Sequence, residues 1–170
     1  MATLGKTALG GSSNVGSANF VFGFGPYTAS ENGTVTAFNW YDNNGGGTST
    51  FTFGIYADSA GLPGSLLATS AATNWPGAPG WVTGAISLSI SSGVSYWFGL
   101  NSDVGANYLY DAVGSEKLKY KANTYVAGSM PNPFGTPDGG LTQEASVYVT
   151  YTPAGGGALP FVMQLGYQRV

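Results

Sequence analysis

The feature that most constrains the fold is the alternation of side-chain character along most of the chain. In one run, Phe20, Phe22 and Phe24 alternate with smaller residues. Comparable runs occur at 34–40, 51–55, 86–90, 94–100, 108–110 and 147–151. Successive side chains of a strand point to opposite faces, so aromatic and β-branched residues on one face and Ser or Thr on the other are typical of half-buried antiparallel strands. The sequence therefore predicts an all-β protein.

Turn-forming residues separate these runs. Asn32-Gly33 and the stretch 42–47 (Asp-Asn-Asn-Gly-Gly-Gly) tolerate the positive φ angles of tight turns, and 91–93 is short enough to close a hairpin. Two longer loops are marked by prolines, namely Pro76, Pro79, Pro131, Pro133 and Pro137. About eight strands at this spacing predict a two-sheet antiparallel sandwich, jelly-roll-like, over residues 18–152.

The two ends of the chain differ from this central part. Residues 1–17 are rich in Gly and Ser, and we expect a flexible segment without the apolar core of a signal peptide. Residues 153–170 form a glycine hinge and then an apolar C-terminal arm. The arm residues are Leu159, Phe161, Val162, Met163, Leu165 and Tyr167. Because such an arm is a liability in water, we expect it to pair with a neighbouring subunit; folding back on its own sandwich is the open alternative.

The amino-acid composition limits the kinds of functional site that the chain can form. The 170 residues include no His and no Cys, and 8% are charged, against about 25% in an average domain. These absences remove the commonest general base, the thiolate nucleophile and the commonest metal ligands. Five Lys and Arg with a net charge of −3 do not supply a nucleic-acid footprint, and no run reaches the length of a membrane span. We therefore expect no enzyme activity, no cofactor, no metal, no nucleic acid and no membrane partner.

The aromatic residues include candidates for ligand stacking. Trp75 lies in a proline-rich loop away from any predicted strand, so we expect it to be exposed. If the loops converge, Tyr108, Tyr125 and Phe134 would join it in a platform for a sugar ring. Most other aromatic residues are expected in the core or an interface, where they dominate packing energy.

Two polar clusters have simple structural interpretations. Lys117, Lys119 and Lys121 alternate on one strand face, which predicts an edge strand protected against sheet-to-sheet pairing; a small stripe for an acidic partner or anionic glycan is the alternative. The stretch 42–44 (Asp-Asn-Asn) offers oxygen ligands for calcium but lacks the acidic spacing of a dedicated loop. We interpret it as a turn.

Four short motifs carry a family resemblance. They are 55–70 (IYADSAGLPGSLLATS), 80–82 (GWV), 93–97 (GVSYW) and 131–135 (PNPFG). Together they resemble the small β-sandwich domains of bacterial surface proteins and phage structural proteins, over roughly residues 18–152. The resemblance implies a binding or structural module and supplies no catalytic residues.

These observations lead to two functional hypotheses. The first is a phage virion structural protein, a capsid decoration or cement protein that is assembled in the host cytoplasm. Its partners would be copies of itself, the major capsid protein, or both. The alternative is an extracellular carbohydrate-binding or adhesive module, including a phage fibre or receptor-binding domain, with a glycan as partner.

Overall fold

The computed structural model describes residues 1–44, 49–75 and 77–155, and within them the protein is all-β. Fourteen strands form two antiparallel sheets of seven strands each. This confirms the two-sheet antiparallel sandwich, with fourteen strands rather than about eight. Five of these strands are only two to four residues long, too short for an alternating pattern to show in the sequence.

The strands of each sheet are as follows. The first sheet contains β1 (Ala2–Gly5), β2 (Ser12–Val15), β4 (Gly33–Asp42), β8 (Gly80–Ile90), β10 (Asn107–Ala112), β13 (Gln143–Ala145) and β14 (Val147–Pro153). The second sheet contains β3 (Phe20–Thr28), β5 (Thr50–Ser59), β6 (Leu62–Thr69), β7 (Thr73–Asn74), β9 (Ser95–Ser102), β11 (Leu118–Ala122) and β12 (Gly139–Leu141).

Neighbouring strands in each sheet are mostly distant along the chain. In the first sheet, β4 pairs with β8 on one edge and with β14 on the other, and β14 also pairs with β1. Beyond the end of β4, β10 pairs with β2 and β13. The second sheet has the order β12-β11-β3-β9-β5-β6, with β7 beside the start of β5. Because β3, β4 and β5 alternate between the sheets, the connections cross the sandwich, as they do in jelly rolls.

The main hydrophobic core lies between the two sheets and is largely aromatic. Phe38 of β4 stacks on Phe53 of β5 with ring centroids 4.5 Å apart, and Phe24 packs against Trp40 at 5.2 Å. These residues occupy the apolar positions of the alternating runs, and Phe24, Phe38, Trp40 and Phe53 are fully buried. Each buried side chain of this size contributes about 1.5–3 kcal/mol of transfer free energy. The apolar residues of the alternating runs therefore stabilise the sandwich by packing between its sheets.

A long loop covers the outer face of the second sheet. Residues 123–138 carry Met130 and Phe134, which form a second hydrophobic cluster with Val21, Tyr56 and Trp97 on that face. The loop is held by the Tyr56 hydroxyl, which donates to a loop carbonyl at 3.1 Å, and by the Phe134 amide, which donates to a carbonyl in β6 at 3.0 Å. The second sheet is therefore buried on both faces over this area.

Three glycines in register make room for this loop. Gly99 of β9 pairs with Gly23 of β3 on one side and with Gly54 of β5 on the other. A Cβ atom at Gly99 would lie 2.5 Å from Cε2 of Tyr56 and 2.9 Å from Cε of Met130. The loop can approach the sheet because these three register partners on β3, β9 and β5 have no side chains.

The N-terminal segment is part of the first sheet, so the expectation that residues 1–17 are flexible is wrong. Four residues of β1 pair with β14, and four residues of β2 pair with β10. Lys6 Nζ forms an ion pair with Asp111 Oδ2 at 2.5 Å, and the Gly10 amide donates to Ser146 Oγ at 3.0 Å. The segment is ordered because Leu4 packs against the main core and β1 supplies partners to β14, whose edge would otherwise be open.

The described chain ends just after β14. The Ala154 amide donates to the Asn32 carbonyl at 2.8 Å, which places the start of the predicted hinge beside the turn before β4. The predicted arm, Leu159, Phe161, Val162, Met163, Leu165 and Tyr167, lies outside the described residues.

Candidate functional site

A cluster of three aromatic residues lies on the outer face of the first sheet. Tyr41 of β4 and Trp81 of β8 are cross-strand partners, with ring centroids 5.5 Å apart and planes at 79°. Trp81 also packs edge-to-face on Tyr148 of β14, at 4.9 Å and 73°. All three rings are half-buried, and neither hydrophobic core includes them. We call Tyr41, Trp81 and Tyr148 the aromatic trio.

A row of hydrogen-bonded polar side chains adjoins the aromatic trio. Asn39 Nδ2 donates to Thr150 Oγ1 at 3.1 Å, and Thr83 Oγ1 donates to Asn39 Oδ1 at 2.8 Å. These three residues come from the three neighbouring strands β14, β4 and β8, so the contacts fix their side chains across the sheet. The polar row keeps free hydrogen-bonding capacity, because an amide group has two N–H donors and each hydroxyl has further lone pairs.

Around the aromatic trio, the four strands β1, β4, β8 and β14 contribute no charged side chain to this face. In β1, β4, β8 and β14, the sequence has a single charged residue, Asp42. Asp42 is 1% exposed and has the parity of Trp40, so it faces the interior of the sandwich. The outward positions of these four strands therefore carry Ser, Thr, Asn, Ala and the aromatic trio, whereas the charged residues Asp111 and Glu144 lie on β10 and β13 of the same sheet.

The parity of the strands explains why the aromatic trio is on the outside. Trp81 and Thr83 alternate with the buried Val82, as Tyr148 and Thr150 alternate with Val147 and Val149. The sequence therefore contained a usable signal, namely aromatic residues at the polar positions of strands that pair. We missed the aromatic trio because single-strand parity does not say which strands are neighbours.

The predicted stacking platform does not form, because three of its four members are buried. Trp75 is 6% exposed and packs in the main core, so the prediction of an exposed Trp75 is wrong. Tyr108 is also in that core, and its hydroxyl donates to Gln143 Oε1 at 2.7 Å. Phe134 is fully buried on the other side of the second sheet, 5.4 Å from the Tyr56 ring.

Tyr125 is half-buried in the covering loop, and its hydroxyl accepts a hydrogen bond from Thr52 Oγ1 at 3.3 Å. The structure places Trp75 and Tyr108 between the sheets but Phe134 and Tyr125 outside the second sheet, so these residues do not converge. The physical reason is that a proline-rich loop can fold inward when it carries a large apolar ring.

The predicted lysine stripe lies on β11 and the residue before it. The expectation of an edge strand is wrong, because β11 pairs with both β3 and β12. Lys117 Nζ lies 5.8 Å from the centroid of the Tyr27 ring, Lys119 forms an ion pair with Glu116, and Lys121 Nζ donates to the Thr136 carbonyl at 3.1 Å. These contacts occupy the ammonium groups.

Asp42 is a buried carboxylate at the end of β4. Neither of its oxygens has a hydrogen-bond partner among the described residues. Burial raises the pKa of Asp42 to about 6, and the nearby backbone N–H groups of Asn107 and Asn44 lower it only in part. Residues 45–48, which complete the stretch considered for calcium, lie outside the described residues. The described part of the chain contains no group of three or more acidic side chains that could hold a metal ion.

One edge of the first sheet is long and open. Among the described residues, β8 pairs only with β4, and its eleven residues include neither a charged residue nor a proline. An open cleft of about 550 Å³ lies beside its C-terminal end, lined in part by Leu67, Leu88 and Val94. Leu67 is 42% exposed and Val94 is 44% exposed, so the edge adjoins apolar surface.

Three of the four resemblance motifs meet on the outside of the second sheet. Trp97 Nε1, from the 93–97 motif, donates to Asp58 Oδ1, from the 55–70 motif, at 2.8 Å. The amide of Phe134, in the 131–135 motif, donates to the Gly64 carbonyl of the 55–70 motif at 3.0 Å. These motif residues fix the covering loop to the sheet, so their visible role is structural.

Comparisons with known proteins add no family to this description. No protein-family model matches the chain, and a search of curated proteins finds no significant match. None of the described segments forms a helix long and apolar enough to cross a membrane.

Proposed function

We propose that this chain is a non-enzymatic structural protein of a phage virion, which decorates the capsid by binding the shell protein and neighbouring copies of itself. The observation that carries the proposal is the open edge of β8. A strand of eleven uncharged residues without proline offers unpaired N–H and C=O groups to another chain. Proteins that remain monomeric usually protect such an edge with lysine or proline, and β8 has neither. Its pairing with β4 shifts register once, between Val35 and Ala37, and is regular over residues 80–85 and 88–90 of β8, so these stretches are suited to an added strand.

The lack of exposed charge on four strands of the first sheet supports the same role. Soluble monomers usually carry about a quarter or more of their surface as charged residues, whereas Asp42 is the one charged residue of the four strands β1, β4, β8 and β14. A strand added at the β8 edge would therefore pack beside uncharged neighbours, without the desolvation cost of burying ions. Repetition on a lattice would add many such contacts through avidity.

β14, the strand that precedes the predicted arm, ends close to the β8 edge. Pro153 pairs with Gly33 of β4, and Gly33 pairs with Ile90 at the end of β8. The chain therefore leaves the sheet about 10 Å from the edge, at roughly 4.8 Å per strand. In our proposal the arm, residues 159–167, adds to the β8 edge of a neighbouring copy, and its apolar side chains cover the cleft beside Leu67 and Val94.

Self-association of the full-length chain tests the proposal. Light scattering behind size-exclusion chromatography should show oligomers whose fraction rises with concentration. The double variant Ser87→Lys/Ser89→Lys places two charges on the open edge, and truncation after residue 155 removes the arm; both should give monomers. The control Thr3→Lys places a charge on the opposite edge strand, β1, and should associate like the wild type.

Incorporation into particles tests the virion part of the proposal. Full-length chain should be found at high copy number in purified phage particles from the source culture, and the truncated chain should not be incorporated. A full-length chain that is monomeric at every concentration and absent from such particles would contradict the proposed function.

A further inference from the structure

We propose that the outer face of the first sheet, around the aromatic trio, is a binding site for a neutral oligosaccharide. The site goes beyond the assembly role and does not depend on it, because it uses the face of the sheet rather than the edge of β8. The carbohydrate-binding alternative from the sequence relied on Trp75, which is buried. The structure offers other residues for the same chemistry.

The aromatic trio supplies the apolar half of such a site. Its rings are packed edge-to-face, at 79° for Tyr41 and Trp81 and at 73° for Trp81 and Tyr148. This packing holds Trp81 between two neighbours while all three side chains keep part of their surface in solvent. The face of an aromatic ring is electron-rich, so it attracts the weakly positive C–H groups on one side of a sugar ring. A ring held in place loses little conformational entropy when it binds.

The polar row supplies the other half. Asn39 is 6% exposed and is held by Thr83 on one side and by Thr150 on the other, with contacts of 2.8 and 3.1 Å. Its orientation is therefore fixed before any ligand arrives. Sugar hydroxyls both donate and accept hydrogen bonds, and they match a row that contains an amide and two hydroxyl groups. An apolar surface with a few placed polar groups is the usual composition of a small-molecule site.

The four strands around the aromatic trio place no charge on this face, and Asp111 of the neighbouring β10 is paired with Lys6. This charge pattern discriminates between charged and neutral ligands. Asp42, the one charged residue of these four strands, faces the interior. An acidic glycan, a phosphorylated ligand or a basic peptide would give up hydration of its charges without gaining an opposite charge. A neutral glycan has no such cost, so the charge pattern favours it.

The length of the face suits a chain of sugars rather than a single one. From Trp81, the outward positions Thr83, Ala85 and Ser87 continue along β8 for about 20 Å, at roughly 3.3 Å per residue. All three of these positions are exposed. An oligosaccharide of several rings could stack on Trp81 and extend along β8 over them.

Binding of the full-length protein to a glycan array, followed by calorimetry with the best neutral oligosaccharide, tests the proposal. Trp81→Ala should weaken binding by about tenfold or more. Tyr148→Ser, on a different strand, and Thr150→Val, which removes one hydroxyl group, should also weaken it. Tyr125→Ala is the matched control, since Tyr125 is a half-buried tyrosine outside the other sheet, and should bind like the wild type. Thermal unfolding of each variant shows that it is folded.

Several results would overturn the proposal. The proposal is wrong if the wild type binds no neutral glycan or prefers anionic glycans. It is also wrong if the Trp81→Ala and Tyr148→Ser variants are folded and bind like the wild type. Loss of self-association in Trp81→Ala without glycan binding by the wild type would identify the face as an interface between copies. A negative result here leaves the test of the β8 edge unaffected, because that test measures oligomers rather than glycan binding.

Discussion

Asp42 is the residue at which burial and charge conflict most directly. Its carboxylate is 1% exposed and lacks a hydrogen-bond partner among the described residues, so the charged form is poorly stabilised. Natural proteins usually pair such a group or bind an ion to it. Its pKa of about 6 means that the native protein holds a proton there over a pH range in which the unfolded chain does not.

The stability of the protein should therefore fall as the pH rises from about 4 to about 6. Below this range both states are protonated at Asp42; within it only the native state is, and above it the native state must bury the anion. Asp42→Asn should be more stable than the wild type at pH 7 by about 1–3 kcal/mol and nearly equal to it at pH 4. Urea unfolding at the two pH values measures this. Stabilisation of the wild type by calcium, absent in Asp42→Asn, would show instead that the carboxylate has a cation partner.

Gly99 is a position where adding a single carbon atom should be costly. A methyl group there would overlap the Tyr56 ring, which is fully buried and fixed through its hydroxyl group. We expect Gly99→Ala to lower the free energy of unfolding by about 1–3 kcal/mol, as overpacking does in other cores. Gly114→Ala is the control, because nothing lies within 4 Å of its added Cβ, and it should be neutral or slightly stabilising. Equal denaturation midpoints for the two variants would contradict this explanation.

At the level of single residues, the sequence predicted burial better than exposure. The alternating runs correctly placed Phe24, Phe38 and Phe53 in a core. The same reasoning failed at Trp75 because position in a loop does not determine exposure. The role of Trp81 could be predicted only if β4, β8 and β14 were known to be neighbours. Which strands are neighbours depends on contacts between distant segments of the chain.

Among the elements, the loop 123–138 shows how a segment without regular structure can be part of the core. Its anchor, Phe134, is fully buried against Tyr56, and its Met130 packs on the glycine row. The prolines of this region predicted a loop, as found. They gave no indication that the loop covers a sheet, because that depends on the glycines of three different strands.

Phe134→Ala should release this loop without unfolding the sandwich. The main core lies on the other side of the second sheet and does not contain Phe134. Hydrogen exchange of amides in 123–138 should become faster, while the amides of β3 and β9 that are paired within the second sheet stay protected. Val126→Ala is the control in the same loop, since Val126 is 59% exposed, and should leave exchange unchanged. Uniform loss of protection in both sheets would show that the loop and the sandwich unfold as one unit.

For the whole molecule, the decisive feature is that the first and last described strands are paired. Ala2 of β1 is the register partner of Tyr151 of β14, and β14 also pairs with β4. The sequence predicted the central strands, but the N-terminal strands were too short and too rich in Gly and Ser to be recognised. The two sheets were predictable as a class, whereas the closure of the first sheet by the N-terminus was not.

The two ends should therefore differ in what they contribute to stability. Deletion of residues 2–6 removes β1, the packing of Leu4 and the ion pair of Lys6, and should cost about 2 kcal/mol or more. Deletion of residues 156–170 should leave the melting temperature nearly unchanged, because every described residue of the two cores lies before residue 152. Calorimetry of the two truncated proteins checks the comparison; a larger loss from the C-terminal deletion would show that the arm folds onto its own sandwich.

The position of β14 also determines when the protein can finish folding during synthesis. This strand lies between β4 and β1, yet it is the last of the fourteen to leave the ribosome. Until it arrives, β1 has no partner and one edge of β4 is unpaired, so the nascent chain must hold an incomplete sheet for most of its translation. Such long-range pairing makes folding slow, with folding times of about milliseconds to seconds. During this time the unpaired strand edges are exposed to other chains. A protein with this order of strands can complete its first sheet only after residues 147–153 have been synthesised.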